Sequence, residues 1–114
     1  MRELTVGKNL TAGSSNTVYT VPKGCKAIAT LLMLSNYGGS SKSVTSSWYD
    51  HSTNTSVTIV GGKSISAGDY IMFDQGRMVM DEFDELRVTP EAASTFSVIF
   101  TLEIHQNTAY QNGN

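Results

Sequence analysis

The chain has 114 residues, enough for one domain around one core, and its hydrophobic (39%) and charged (16%) fractions are both low for a globular protein. Ser, Thr, Asn and Gly fill the difference, yet Val, Ile, Phe and Tyr recur in alternating runs, which argues against disorder and for a folded β domain with polar outer faces. A formal net charge of -2 with scattered basic residues gives no electrostatic footprint for nucleic acid or an anionic membrane, and one cysteine, Cys25, allows no internal disulfide.

Residues 1–10 (MRELTVGKNL) alternate Leu4 and Val6 against Glu3, Thr5 and Gly7 and read as an N-terminal arm or edge strand. They contain no apolar signal-peptide core, so synthesis and folding in a cytoplasm are expected. TAGSSN (11–16) is a loop by composition, and TVYTV (17–21) is a strand that Pro22 ends. In KAIATLLMLSNY (26–37), Ile28, Thr30, Leu32 and Leu34 alternate with Ala27, Ala29, Leu31 and Met33. Ala, Leu and Met favour helices, but the flanking turns and β-rich neighbours decide for a strand. Both faces are apolar, as in a central strand covered on both sides. Its most apolar run, Ala27–Leu34, is far short of the roughly 20 residues a membrane helix needs.

SVTSSWYD (43–50) puts Val44, Ser46 and Trp48 on one face, predicting a core Trp48 and an outward Tyr49. TSVTIV (55–60) is a strand closed by Gly61-Gly62, and 63–74 reads as a short strand, an Ala67-Gly68-Asp69 turn and a second strand. RMVM (77–80), DELRVTP (84–90) and STFSVIFTLEIH (94–105) complete the pattern, while QNTAYQNGN (106–114) has no periodicity. The expected organisation is an arm at 1–10, a sandwich domain at 11–105 and a tail at 106–114. About eight to ten short strands with no convincing helix predict an all-β fold, an antiparallel β-sandwich of jelly-roll type in a single domain.

Nucleophilic catalysis needs a Ser or Cys beside a base that a third group orients. Serines are plentiful and His51 and His105 are present, but no Gly-x-Ser-x-Gly elbow occurs and His51 falls in the turn YDHSTNTS. Chance adjacency is the simpler account, and no enzyme is predicted. Lys23 and Lys26 would favour a Cys25 thiolate, yet a thiol in a turn with no paired His reads as a small filler. MDEFDE (80–85) offers four carboxylates to a hard cation such as calcium. Without an Asp-x-Asp-x-Asp-Gly loop, it reads as a solvated acidic turn. Two histidines in separate segments do not supply a cupin-type metal set, so neither metal nor cofactor is expected. Trp48, Tyr49, Tyr37 and Tyr19 would make a sugar-stacking platform only if they converged; with Trp48 in the core, Tyr49 alone keeps a glycan contact open.

The succession VYTVPKGCKAIATLLMLSNYG, SVTSSWYD, SISAGDYIMF and MVMDEFDELRVTPEAASTFSVIFTLEI resembles small structural proteins of tailed-bacteriophage virions. Such proteins show a Tyr-Thr-Val-Pro opening, a Gly-Lys-type turn, a long strand ending in Asn, an aromatic-Asp strand end and an Ala-Gly-Asp turn. The resemblance covers residues 17–104; Cys25 and DEFDE depart from the usual pattern. It implies a β-sandwich carried on the particle: a capsid decoration or cement subunit bridging major capsid proteins, or a neck, tail or fibre-attachment component. A carbohydrate-binding β-sandwich module is the reading from a different class. The implied partners are other virion proteins and copies of the chain itself, without nucleic acid or membrane. The implied location is the virion, assembled in the host cytoplasm. The resemblance implies no catalytic site, and the candidate interface residues are Arg2, Leu4, Tyr49, Tyr110 and Asn112. The tail cannot bury a core, which makes Tyr110 the expected anchor on another chain.

Overall fold

The structure, a computed structural model, describes residues 1–107; Tyr110 and Asn112 lie outside the described residues. Nine strands follow in order: β1 (Arg2–Asn9), β2 (Asn16–Thr20), β3 (Cys25–Asn36), β4 (Lys42–Asp50), β5 (Thr55–Ile65), β6 (Tyr70–Phe73), β7 (Met78–Met80), β8 (Glu85–Pro90) and β9 (Phe96–Gln106). One sheet runs β1-β9-β3-β6, with β7 also pairing β3, and the other runs β2-β8-β4-β5. Every pairing is antiparallel. Because β6 and β7 lie on the same edge of β3, they act as one interrupted strand, and two four-membered sheets result. Apart from the β4–β5 and β6–β7 links, each connection passes from one sheet to the other, which is the jelly-roll connectivity.

Period-two alternation drives the burial. Phe96, Val98, Phe100 and Leu102 of β9 meet Leu86 and Val88 of β8 and Val44 of β4 in the space between the sheets. In β3 the strict alternation expected from residues 26–37 does not hold. The register with β9 shifts between Ala29 and Leu31, so Thr30 is an inserted residue and the phase reverses there. Ala27, Ala29, Leu32 and Leu34 face inward, while Leu31 and Met33 are half-buried on the outer face and Ile28, on that same side, is covered by its neighbours. A second correction concerns Gly61-Gly62, which does not close a strand. β5 continues through both glycines to Ile65, and the chain irregularity is absorbed by shifts in the β4 register. Gly62 has φ +60, where a side chain would be strained, and its N–H donates to Thr45 Oγ1 at 2.9 Å.

At one end of the sandwich Asn36, 1% exposed, terminates β3. Its Nδ2 donates to the carbonyls of Ser40 and Ile65, both at 2.9 Å, and its Oδ1 accepts the Gly38 N–H at 3.0 Å. The Asn36 backbone pairs with the Ala67-Gly68-Asp69 turn, through Gly68 N to Asn36 O at 2.8 Å and Asn36 N to Asp69 O at 2.9 Å. An isosteric Asn36→Leu substitution strands all three side-chain partners in a buried corner. The expected cost is about 2–3 kcal/mol, a large share of the roughly 5–15 kcal/mol available to such a domain. Urea denaturation should show it as a lower midpoint at unchanged slope.

Candidate interaction surface

The two outer faces differ in chemistry. Residues flanking the inward positions of β3 and β9 emerge on the outside of the first sheet: Met33 lies opposite Ile99 on β9 and Met72 on β6, and Ile28 opposite Val79 on β7. Met72 and Val79 are among the exposed large hydrophobics. The outer face of the second sheet is polar, with Thr45, Ser47, Thr89, Glu85 and Arg87 at outward positions. There Arg87 Nε donates to Glu85 Oε1 at 2.7 Å, and its guanidinium lies 4.0 Å from the centroid of the Tyr49 ring.

On the β5 side the sandwich is open between its layers. β7 pairs with Ala27–Ala29 and β6 with Leu32–Ser35, leaving Thr30 and Leu31 without a partner on that edge. A cleft of ≈ 380 Å³ enters there, lined by Leu32, Ile59, Phe73, Met78 and Phe100 among others, with Asp74 and Arg77 also in its wall. The lining is mainly apolar, so the cleft accepts hydrocarbon or aromatic groups more readily than ions.

The acidic turn is not the solvated segment expected from its composition. Asp84 is 1% exposed and points into the fold. Its carboxylate accepts from Trp48 Nε1 at 3.0 Å, His51 N at 2.9 Å and Asp81 N at 2.9 Å. Phe83, at φ 68, makes the reversal that aims it. Glu82 Oε1 accepts the Gly24 N–H at 2.8 Å, tying this turn to Pro22-Lys23-Gly24. Trp48 is correspondingly half-buried at the margin of the core, fixed by its indole N–H. The signal for Asp84 was a lone Phe83 among acids, followed at once by the alternation of β8.

The candidate interface residues do not come together. Arg2 is exposed at the start of β1, Leu4 packs against the core, and Tyr49 sits on the other sheet beneath Arg87. Nor do the four aromatics form one platform: Trp48 and Tyr49 alternate to opposite faces, Tyr19 packs on the core, and Tyr37 stands exposed beyond β3. His51 makes edge contacts with the rings of Tyr49 and Phe83, and Ser52 Oγ donates to Asp50 instead of to a histidine. His105 lies 3.3 Å from Glu103 on β9. Among the described residues no three His, Cys, Asp or Glu side chains form a metal-binding group.

Burial, reinforced by Cys25 and opposed by Arg2, raises Tyr19 above its usual 10.0. Hydrogen bonding from the Ser52 side chain holds Asp50 below 3.8, and the Ser43 backbone N–H holds Glu91 below 4.5. Depressed carboxyl values favour the fold above the unfolded pKa and lose that contribution as pH falls through the folded value, so these two contacts weaken in acid.

No protein-family model matches the chain, and no curated protein matches it in sequence. Among solved structures, a protein of Bacillus endospore appendages, described as forming a novel family of disulfide-linked pili, superposes with a TM-score of 0.55 at 16% identity. That match covers 92% of this chain and 85% of the other. A chain of the T13 particle of the virus IBDV superposes with a TM-score of 0.58 at 9% identity, over 95% of this chain and 31% of the viral one. The chain thus spans most of the pilus protein and about a third of the viral protein. At such identities the likeness is one of fold: an all-β, two-sheet antiparallel sandwich.

The Asp84 arrangement is directly testable. Asp84→Ala leaves three part-buried donors without their acceptor, and the expected loss is about 3 kcal/mol. Trp48 fluorescence should shift to the red at the same time, because the indole loses its anchor. Asp81→Ala, which removes a side chain while keeping the backbone donor, should leave both stability and emission nearly unchanged.

Proposed function

We propose that the chain is a non-enzymatic structural subunit of a virion, specifically a capsid decoration or cement subunit that bridges major capsid proteins. The observation that carries this reading is the two-faced sandwich. Leu31, Met33, Met72, Val79 and Ile99 form an apolar field over the β3, β6 and β7 side of one sheet's outer face, bordered by Thr101 and Glu103 on β9 and by Thr5 and Glu3 on β1, while the other sheet turns Thr, Ser and charged residues to water. An apolar field rimmed by polar groups suits adhesion to a large surface. Many equivalent copies then act together, so that opening the shell must break all their contacts. The motifs shared with tailed-phage virion proteins support the same reading, as does a fold shared with a viral-particle protein.

The match over 85% of a pilus protein favours a second reading within the class, a tail, neck or fibre component assembled along an axis. Copy number relative to the major capsid protein, measured by mass spectrometry of purified particles, separates the two. Hundreds of copies indicate decoration; a dozen or so indicates the neck or tail. For the surface itself, Met33→Lys with Met72→Lys should leave the melting temperature within a few degrees, since both side chains face out. Binding to shells that lack the protein should weaken about tenfold or more. Undiminished shell binding would remove the apolar face from the mechanism, and capture of a defined glycan by the folded variant would favour the carbohydrate-binding reading.

A further inference from the structure

Four edges bound the two sheets, and three carry recognisable protection against pairing with another chain. β1 turns Arg2 and Lys8 to its inward side, opposite Ile104 and Val98, and Lys8 Nζ reaches the Thr17 carbonyl at 3.5 Å. β2 is five residues long and bulged between Thr17 and Tyr19. β6 and β7 are four and three residues long, with an unpaired loop between them. The remaining edge, β5, is eleven residues long. Its second half has the Gly61-Gly62 irregularity and Lys63, but Thr55–Ile59 contains no charge and no proline. All five of these residues are exposed, Val57 at 46% and Ile59 at 38%.

We infer that Thr55–Ile59 pairs antiparallel with the same segment of a second copy, about a two-fold axis through Val57. Self-pairing of a strand about a two-fold places the residue on the axis opposite its own copy and sets residues equally far before and after it opposite each other, where like charges are destabilising. A two-fold through Thr5, near the middle of β1, would set Arg2 opposite the copy's Lys8, and one through Lys63 in the second half of β5 would set two Lys63 side chains opposite each other. About Val57 the pairs are Val57 with Val57, Ser56 with Thr58, and Thr55 with Ile59. Each is uncharged, and Val–Val and Ser–Thr are good cross-strand partners. Val57 shares a face with Trp48, its partner on β4, so the Val57 pair lies on the inward side, the side of the cleft that Ile59 and Phe73 line. The contact is isologous and closes after two copies, joining the four-stranded sheets into one continuous eight-stranded sheet. It uses the open N–H and C=O row of β5 for affinity and the apolar side chains beside the cleft for specificity. The pairing is a property of the isolated chain and is independent of binding to any particle.

Sedimentation velocity over a concentration series tests this on the full chain. The expected result is a monomer–dimer equilibrium that Val57→Lys shifts to monomer while the melting curve stays cooperative, because Val57 supports little of the core. Met33→Lys, on the other face, should leave the equilibrium unchanged. Register is tested by Val57→Cys in a Cys25→Ser chain, which should form a self-disulfide under mild oxidation; Ser64→Cys in the same chain should not. A chain that stays monomeric throughout, a dimer indifferent to Val57→Lys, or crosslinking at Ser64→Cys and not Val57→Cys overturns the inference.

Discussion

Each passage of the chain from one sheet to the other leaves backbone groups that neither ladder can pair, and three buried polar side chains take up much of that demand. Asp84 gathers donors from β4, from the turn after it and from the turn after β7. Asn36 serves the opposite end through Gly38, Ser40 and Ile65. Asn16 accepts the Thr11 N–H and donates to the carbonyls of Thr11, Ser14 and Val88. No buried side-chain nitrogen or oxygen among the described residues lacks a partner. The apolar core would collapse in many arrangements; these carboxylate and amide groups tolerate few, because leaving any one unpaired costs more than its bond contributes.

The same corners join turns that are far apart in sequence. A strand ending in Asn and an Ala-Gly-Asp turn are one structure, joined by reciprocal backbone bonds between Asn36, Gly68 and Asp69. The Pro-Lys-Gly turn and the acidic turn are another, joined by Gly24 to Glu82, by Val21 N to Asp84 O and by Phe83 N to Val21 O. Gly24, at φ +77, supplies the positive angle that the first turn needs. The acidic segment is therefore a clasp for the β2–β3 turn. The Glu82 and Asp84 carboxylates accept backbone hydrogen bonds, and Glu85 accepts from Thr17 and Arg87 side chains.

Strand identity was legible because alternation at period two needs only local sequence. Phe96, Val98, Phe100 and Leu102 announce β9, and Leu86 and Val88 announce β8, without any knowledge of their partners. Two kinds of feature were less legible. Bulges were hidden, since Thr30 looks like one more alternating residue until β9 is laid beside it, and Gly61-Gly62 carries the composition of a turn while serving inside a strand. Polar burial was faintly marked: Asp84 is one acid among four in MDEFDE, set apart in sequence only by the neighbouring Phe83 and the start of β8, and its role follows from the approach of Trp48 and His51. The surface was read least well, because exposure of β5 and of the Met33 face depends on which strands end each sheet, a property of topology.

The inserted residue at Thr30 connects these surface features. Before it, odd-numbered residues of β3 face the core; after it, even-numbered ones do, which keeps Ala29 and Leu32 both inside and sends Leu31 and Met33 out. The bend also falls where the neighbouring edge strand breaks. β7 stops following β3 at Ala29, β6 takes over at Leu32, and Asp74–Arg77 loops away between them. That interruption shortens the edge enough to discourage pairing there, and it opens the cleft above Phe100. It leaves β5, on the facing sheet, as the one long edge with an uncharged segment. One extra residue in a central strand thus shapes the apolar outer face, the cleft and the contrast between guarded and open edges. Without the bulge, β3 could not keep both Ala27 and Leu34 in the core while turning Met33 to the outer face.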